Sequence, residues 1–372
     1  MIRATLAGVL VLGLTACPAP PTPPPAGPIT DALRDRALRE AEVWHPIDTA
    51  GLDVHSGPPG SRAPDITVDC TFVVPHSPPG GKTPKFLCRL ADGSLIKVKY
   101  GPDNMEVHGE IFGSRLLWLL GFYSDRIDPV RVRCRGCPED PWDFLQGLDP
   151  SDPRPPPPSE TVLEFSPAST ESYFGARIEA HAGQGLAWPA LLATRSNYPG
   201  QAATQSLHRE ALTLLAAFLG HGDSKPGNQT LACHPDGGTP SRCKRSVAYI
   251  GDLGSILGNG GKYRMSKVDI EAWEDAPVWA EDAPCSAHFR THRLGTLFDT
   301  PISEPARAFL AARLSAASDA QIRELFAVAG LDGLGGEVED DDGTAHPPTL
   351  DDWVGLFKAK RSEIASRTCP GA

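Results

Sequence analysis

His221-Gly-Asp-Ser-Lys-Pro-Gly-Asn228 is the stretch on which the fold turns, together with Ile250-Gly-Asp-Leu-Gly254 downstream. The first run holds a carboxylate, an ammonium and an amide; the second sets another carboxylate, Asp252, behind an apolar run. Asn228 and Asp252 carry hard oxygen donors of the kind magnesium takes. Gln205–Leu219 before the run reads as a helix, with His208, Ala211, Leu212, Leu215, Ala216 and Leu219 at helical spacing. Strands are expected near Gln229–Ala232 and at Val247–Ile250, so Asp252 follows directly on a strand pair. The plainer expectation is a polar loop in which Asp223 caps a turn and Asn228 takes a left-handed conformation.

His221, Asp223, Lys225 and Asn228 fit the pattern H-x-D-x-K-x-x-N, which resembles the catalytic loop of the protein-kinase-like superfamily. Asp252-Leu-Gly254 resembles its D-F-G element, with Leu in the Phe place. The resemblance implies phosphoryl transfer from ATP or another nucleoside triphosphate. Asp223 would be the base, Lys225 would meet the transferred group, and Asn228 and Asp252 would hold Mg2+ or Mn2+.

Such a fold needs a strand Lys paired with a Glu on the next helix. Lys97 and Lys99 lie two apart on one expected strand and share a face, so spacing does not choose between them. Lys99 with Tyr-Gly-Pro-Asp behind it resembles the Lys-x-Gly-Asp-Asp stretch of phosphatidylinositol 3/4-kinases, which slightly favours Lys99. The helix partner is Glu106 or Glu110. Glu110 stands eleven residues before Gly121, a spacing similar to that of HipA-type kinases. Gly80-Gly-Lys-Thr-Pro-Lys-Phe86 resembles the phosphate loop of the same kinases. It is not a Walker A loop, and a plain hairpin turn fits it equally. Backbone amides of Gly80, Gly81, Lys82 and Thr83 would cradle phosphates.

Around these motifs the chain alternates in period. Thr30–Trp44 reads as a helix and Ile66–Val74 as a strand. Lys85–Leu90 and Leu95–Tyr100 are strands joined at Asp92-Gly93. Glu106–Leu120 reads as a helix with Val107, Ile111, Ser114 and Trp118 on one face and Gly121 as cap. Val130–Cys134 and Thr161–Phe165 are strands, and the Pro-rich acidic run from Cys137 to Pro158 is a loop. Helices are expected at Glu304–Ala317, Asp319–Ala329 and Leu350–Ser366, with a solvated acidic linker at 337–342. The expected fold is α+β, two-lobed and protein-kinase-like: a strand-rich N-lobe with one helix over 29–165, and a mainly helical C-lobe over 166–372.

The N-terminus carries an address. A cation, a short apolar run from Leu6 to Ala16 and then Cys17 make a secretory signal over residues 1–16, not a membrane span. Leu14-Thr15-Ala16-Cys17 resembles the lipobox of bacterial lipoproteins, which implies cleavage before Cys17, its acylation and a membrane partner. Residues 17–28 would form the acylated anchor and a Pro-rich tether. Pro18 stands where an inner-membrane retention signal would put Asp, which favours the outer membrane, facing the periplasm or the surface. The net charge of −11 and the lack of a basic stripe argue against nucleic acid.

Without Cys17, eight cysteines remain, an even set that suits an exported, disulfide-stapled chain. Local pattern pairs Cys70 with Cys88 and Cys233 with Cys243, each across a Pro/Gly loop. Cys134-Arg-Gly-Cys137 closes on itself, and Cys285 is left for Cys369. A C-x-x-C is also a redox motif or half a zinc site, but no second C-x-x-C and no thioredoxin-like context accompany it.

Residues beyond Gly258 match no kinase element, and A-P-E is absent, so the acceptor (protein, lipid or small molecule) stays undefined. Three functions remain open: phosphotransfer, nucleotidyl transfer on the same fold, or a pseudokinase that binds without catalysis. The compartment reached through Cys17 is not expected to hold abundant ATP, which motivates the last.

Overall fold

The structure, a computed structural model, describes residues 29–149, 160–178, 202–258, 268–289, 299–340 and 342–370. The expected signal, Cys17 and the Pro-rich tether lie outside these residues. Helix α1 (Asp31–Glu40) starts where the Thr30 hydroxyl accepts the Leu33 amide. It stops at Glu40, short of the expected Trp44. Beyond it the backbone is extended, because Glu42 bridges to Val247 and Trp44 to Phe122. Pairing with distant chain outweighs the local helical pattern there.

Five strands close into a barrel: β1 (Thr67–Val73), β2 (Lys85–Arg89), β3 (Leu95–Tyr100), β4 (Arg126–Arg135) and β5 (Val162–Ser172). Their order is β1-β2-β3-β5-β4. Neighbours are antiparallel except β1 and β4, which close the barrel in parallel from Thr67↔Arg131 to Thr71↔Arg135. Alternation along β1 turns Val68, Cys70 and Phe72 inward, as the two-residue period of a strand requires. Phe72, Phe86, Val98, Val132 and Phe165 fill the interior. Burial of such side chains from water drives this packing. β5 runs on to Ser172, so the expected boundary at 165/166 falls inside a strand rather than between elements. Pairing of Ser169–Glu171 with both β3 and β4, and of Ser172 with β4, carries it onward.

Helix α2 (Met105–Leu120) ends at Gly121, whose φ of 87° makes the left-handed cap. Thirteen of its sixteen residues are buried, so it has no solvent face of the expected kind. Trp118, expected inward, is one of the half-buried exceptions. The apolar side chains of α2 belong to the large cluster beneath the barrel, not to the barrel's own core. The acidic insertion is not all loop. Pro141–Gln146 forms α3, with Asp140 capping the amides of Trp142 and Asp143 and Pro141 at the first turn. Residues 150–158 of that insertion lie outside the described set.

Below the barrel, α4 (Ala202–Phe218) leads into a three-stranded sheet of order β6-β7-β8: Ala176–Arg177, Gln229–Cys233 and Ser246–Ile250. α5 (Ile270–Glu274), α6 (Glu304–Ala316), α7 (Asp319–Val328) and α8 (Leu350–Ser366) follow. Their rings lock together: Phe326 stacks on Trp353 at 5.4 Å and Phe218 meets Phe357 edge-on at 5.1 Å. The acidic 337–342 stretch is more than a linker, since Val338–Glu339 pairs with Ala345–His346 as a short ribbon. The four disulfides are Cys70–Cys88, Cys134–Cys137, Cys233–Cys243 and Cys285–Cys369. They are the pairs that local pattern suggests. The last joins residues 84 apart and ties the chain's end to the segment before α6.

Candidate active site

Main-chain bonds stitch the two motif segments together. Gly222 N donates to the Ser255 carbonyl at 2.8 Å, and Gly251 N to the Asn228 carbonyl at 2.8 Å. Leu257 N reaches the Leu219 carbonyl at 2.7 Å. The loop after α4 is thereby held against the segment that follows β8. Asn228 ends a short 3-10 turn, Pro226–Asn228, and does not take the left-handed conformation. Its side-chain Nδ2 donates to the Asp223 carbonyl at 2.9 Å.

Asp223 is half-buried. Its Oδ2 accepts from Lys225 Nζ, and its buried Oδ1 has no hydrogen-bond partner among the described residues. A buried carboxylate oxygen in this state calls for a donor such as water or a bound hydroxyl. His221 is buried against the Ser255 backbone. Burial pushes its pKa down to about 4, against the pull of Asp252 and Asp223. It is neutral at pH 7.

Lys99 is the cation at the centre. It is 3% exposed, and its Nζ donates to Glu106 Oε2 at 2.8 Å and to Glu110 Oε1 at 2.6 Å. Asp252 Oδ1 lies 4.0 Å away. Glu106 and Glu110 are one helical turn apart on α2, so both reach one ammonium. Lys97, the alternative, pairs instead with Glu171, its cross-strand partner on β5. Burial pulls Lys99 down, and Glu110, Asp252 and Glu106 together outweigh it, holding the ammonium well above its usual pKa. Burial pushes Asp252 up, but Lys99, Lys97, the Gly254 amide and Lys225 keep it well below the usual carboxylate range. Asp252 is therefore an anion throughout the physiological range.

Two close approaches seat this cluster. A Cβ on Gly254 would stand 2.8 Å from Glu106 Cγ, and a Cβ on Gly113 would stand 3.0 Å from Leu253 Cβ and 2.9 Å from Ile256 Cδ1. Only bare backbone lets the Asp252-Leu-Gly254 segment press this tightly on α2.

Of the expected phosphate loop, Gly80, Gly81 and Lys82 are exposed, while Thr83 is buried and donates to Glu106 Oε2 at 2.7 Å. Lys85, quoted in the loop motif but given no role there, faces the same place. It pairs with Lys99 across β2 and β3, and a Cβ on Gly81 would stand 2.6 Å from its Nζ. Burial, then the repulsion of Lys99, lowers its pKa. Lys85 lies over the Trp142 ring at 5.5 Å, and Gln146 donates to the Pro79 carbonyl at 3.3 Å. α3 thus braces the loop from outside.

A second polar node was not legible in the sequence. Buried Asp125 accepts from Tyr249 Oη at 2.6 Å, Phe174 N at 2.9 Å and Arg177 at 3.3 Å, and Arg177 also donates to Thr230. It joins the end of β5 to the β6-β7-β8 sheet. Its members come from segments far apart in the chain, with no shared motif.

Asn228 and Asp252 together offer an amide oxygen and a permanent carboxylate, a donor set that fits magnesium or manganese. Lys99 and Lys85 stand near Asp252 as two cations.

The chain matches no family model and no curated protein. Among solved structures it is similar to the proinflammatory kinase CtkA of Helicobacter pylori, with 13% identity over 82% of this chain and 95% of that one, at a TM-score of 0.39. It is similar to the Rio2 kinase from Chaetomium thermophilum, with 11% identity over 68% and 70% and a TM-score of 0.27. A pseudokinase in its apo form is similar at 11% identity over 77% and 91%, with a TM-score of 0.18. These neighbours are kinase-like, but at such scores the likeness carries no argument.

Proposed function

We propose that this chain is a kinase-like phosphotransferase of two lobes that moves a phosphoryl group from a nucleoside triphosphate to an acceptor. The observation that carries the proposal is the buried Lys99–Glu110 pair, joined by half-buried Glu106 and Asp252, beside the Asp223–Asn228 loop. Charges this costly to bury are retained where they serve chemistry.

In this mechanism Asp252 and Asn228 would hold a divalent cation, which when bound would supply positive charge against the phosphates. Lys99 is oriented by its two glutamates so that its remaining proton faces the phosphates. Lys85 adds a second cation from the loop side. Asp223 aligns the acceptor hydroxyl through its unpartnered Oδ1 and takes its proton. Lys225, paired to the other oxygen of that carboxylate, meets the transferring group as negative charge moves. Preorganised charge of this kind, not covalent chemistry, is what lowers the barrier.

The test is transfer of γ-label from ATP, with GTP as competitor, in the presence of Mg2+ or Mn2+. Asp252→Asn and Asp223→Asn should abolish it. If neither nucleotide raises the melting temperature and Asp252→Asn changes nothing, the proposal is wrong. Label retained from the α-phosphate would instead indicate nucleotidyl transfer.

One contact favours a second reading, a non-catalytic binder. Thr83 and Lys99 share Glu106 Oε2, which draws the loop onto α2 across the phosphate side. Binding without label transfer would select it. We also propose export and anchoring through Cys17, supported by the lipobox-like sequence and the disulfide set. Cys17→Ala should move the protein from the membrane to the soluble fraction and stop palmitate incorporation.

A further inference from the structure

Two independent staples have no need to touch, yet the barrel brings three of their sulfurs into one buried spot, with the fourth, of Cys137, bonded to one of them. Cys70 on β1, Cys88 on β2 and Cys134 on β4 hold their sulfurs within 4.8 Å of one another. Cys88 Sγ lies 3.8 Å from Cys134 Sγ although each is bonded elsewhere, to Cys70 and Cys137. Strand register explains the meeting. Cys70 stands beside Cys134 in the parallel β1–β4 pairing, and Cys88 enters diagonally because its partner on β1 is Phe72. Cys137 is buried with them. Among the described residues no other three side chains of metal-binding type converge this closely.

Tetrahedral zinc takes thiolates at ~2.3 Å, which sets neighbouring sulfurs ~3.8 Å apart. The Cys88–Cys134 separation already matches that edge. Cys134-Arg-Gly-Cys137 has the two-residue spacing found in zinc sites, and Gly136, with φ 69°, makes its turn. On the sequence alone this motif was half a site with no second half. β1 and β2 supply the second half from 64 and 46 residues upstream of Cys134. We propose that Cys70, Cys88, Cys134 and Cys137 form one tetrathiolate site for a zinc-type cation, of which the two disulfides are the oxidised form.

The conversion balances. Each disulfide takes up two electrons and two protons, which a dithiol reductant supplies while closing to its own disulfide. Four electrons open both bonds. The four thiols then release their protons to solvent as the divalent cation binds. Oxidation by a disulfide reverses the steps and expels the cation. The barrel is thereby held closed in either state, by sulfur–sulfur bonds or by the ion.

The test uses the full chain, reduced anaerobically with dithiothreitol, freed of reductant and titrated with Co2+. The expected result is one Co2+ per chain, with tetrahedral visible bands and a thiolate charge-transfer band, both erased by Zn2+. The charge-transfer band separates this site from any cation held by Asp252 and Asn228, which have no sulfur. Zn2+ should raise the melting temperature of the reduced chain and leave that of the oxidised chain unmoved. Cys88→Ser should weaken Co2+ binding at least about tenfold, while the double change Cys233→Ser/Cys243→Ser leaves the spectrum unaltered. A reduced chain with no stoichiometric thiolate–cobalt band overturns the proposal. So does an unchanged spectrum in Cys88→Ser, or a reduced chain that circular dichroism shows unfolded in excess Zn2+.

Discussion

Replacing Lys99 by Met removes the cation that Glu106 and Glu110 share while leaving both carboxylates in place. Lys99 and Glu110 are each only 3% exposed, so water does not repair the loss. Breaking a buried pair in this way costs about 3–5 kcal/mol. At about 2.1 cal/mol/K of unfolding entropy per residue, each kcal/mol moves the melting temperature of a chain this long by about 1–2 °C, so a fall of about 3–10 °C is expected at pH 8. Glu110 has one escape: burial already pushes its pKa up, and without Lys99 it takes a proton. In the variant its folded pKa lies above its unfolded value of 4.5. The folded chain then holds a proton that the unfolded chain has released. Stability is fully present below that unfolded value and is lost as pH rises through the folded one. The deficit against wild type should therefore be small near pH 5 and largest near pH 8. Urea unfolding followed by circular dichroism at both pH values measures it. Lys99→Met/Glu110→Leu should recover much of the loss, because exchanging a buried pair for apolar groups is close to neutral. A Lys99→Met chain within about 1 kcal/mol of wild type at pH 8, or equally destabilised at both pH values, would refute the reasoning.

Other expectations follow from the same geometry. His221 has a folded pKa of about 4 against 6.5 unfolded, so the unfolded chain binds more protons and stability falls as pH drops from 6.5 through 4. His221→Phe should flatten that slope by about 3 kcal/mol over the window; an unchanged slope in urea titrations disproves it. Gly113→Leu drives a side chain into Leu253 and Ile256 and should cost about 1–3 kcal/mol while weakening nucleotide binding. Retained binding by isothermal titration would show that Leu253 is free to move. Gln146→Ala unties α3 from the phosphate loop and should raise the nucleotide Kd by roughly two- to tenfold, the worth of one hydrogen bond. No change in Kd would mean that α3 does not brace the loop.

Much of the fold was legible because it is local. Alternation at Val68, Cys70 and Phe72 and helical spacing at Leu212, Leu215 and Leu219 report faces that really are buried. Cap residues such as Thr349 and Ser318 mark helix starts by the same short-range logic, each forming a reciprocal capping box. Failures lie where distant chain intervenes. α1 stops early because Glu42 and Trp44 pair with strands elsewhere, and β5 runs long because β3 and β4 flank it on both sides. α3 was hidden in a Pro-rich run, although Asp140-Pro141 is a sound helix start in hindsight.

What the sequence determined by itself was the order of chemical groups along the chain. It placed Asp223, Lys225, Asn228 and Asp252 at spacings that a short loop and a strand pair bring together, because backbone geometry over so few residues leaves little choice. It also pointed to four disulfide pairs, three of them across short local loops. Tertiary structure alone decided which of Lys97 and Lys99 pairs with the glutamates of α2. Both point to one face of β3, so the choice depends on what stands opposite. Glu171 lies across from Lys97 on β5, whereas α2 brings Glu106 and Glu110 to Lys99. The same holds for the sulfurs. Cys70–Cys88 and Cys134–Cys137 are each local pairs, but the parallel closure of β1 on β4 is a long-range pairing, and it sets Cys134 beside Cys70 and within 3.8 Å of Cys88.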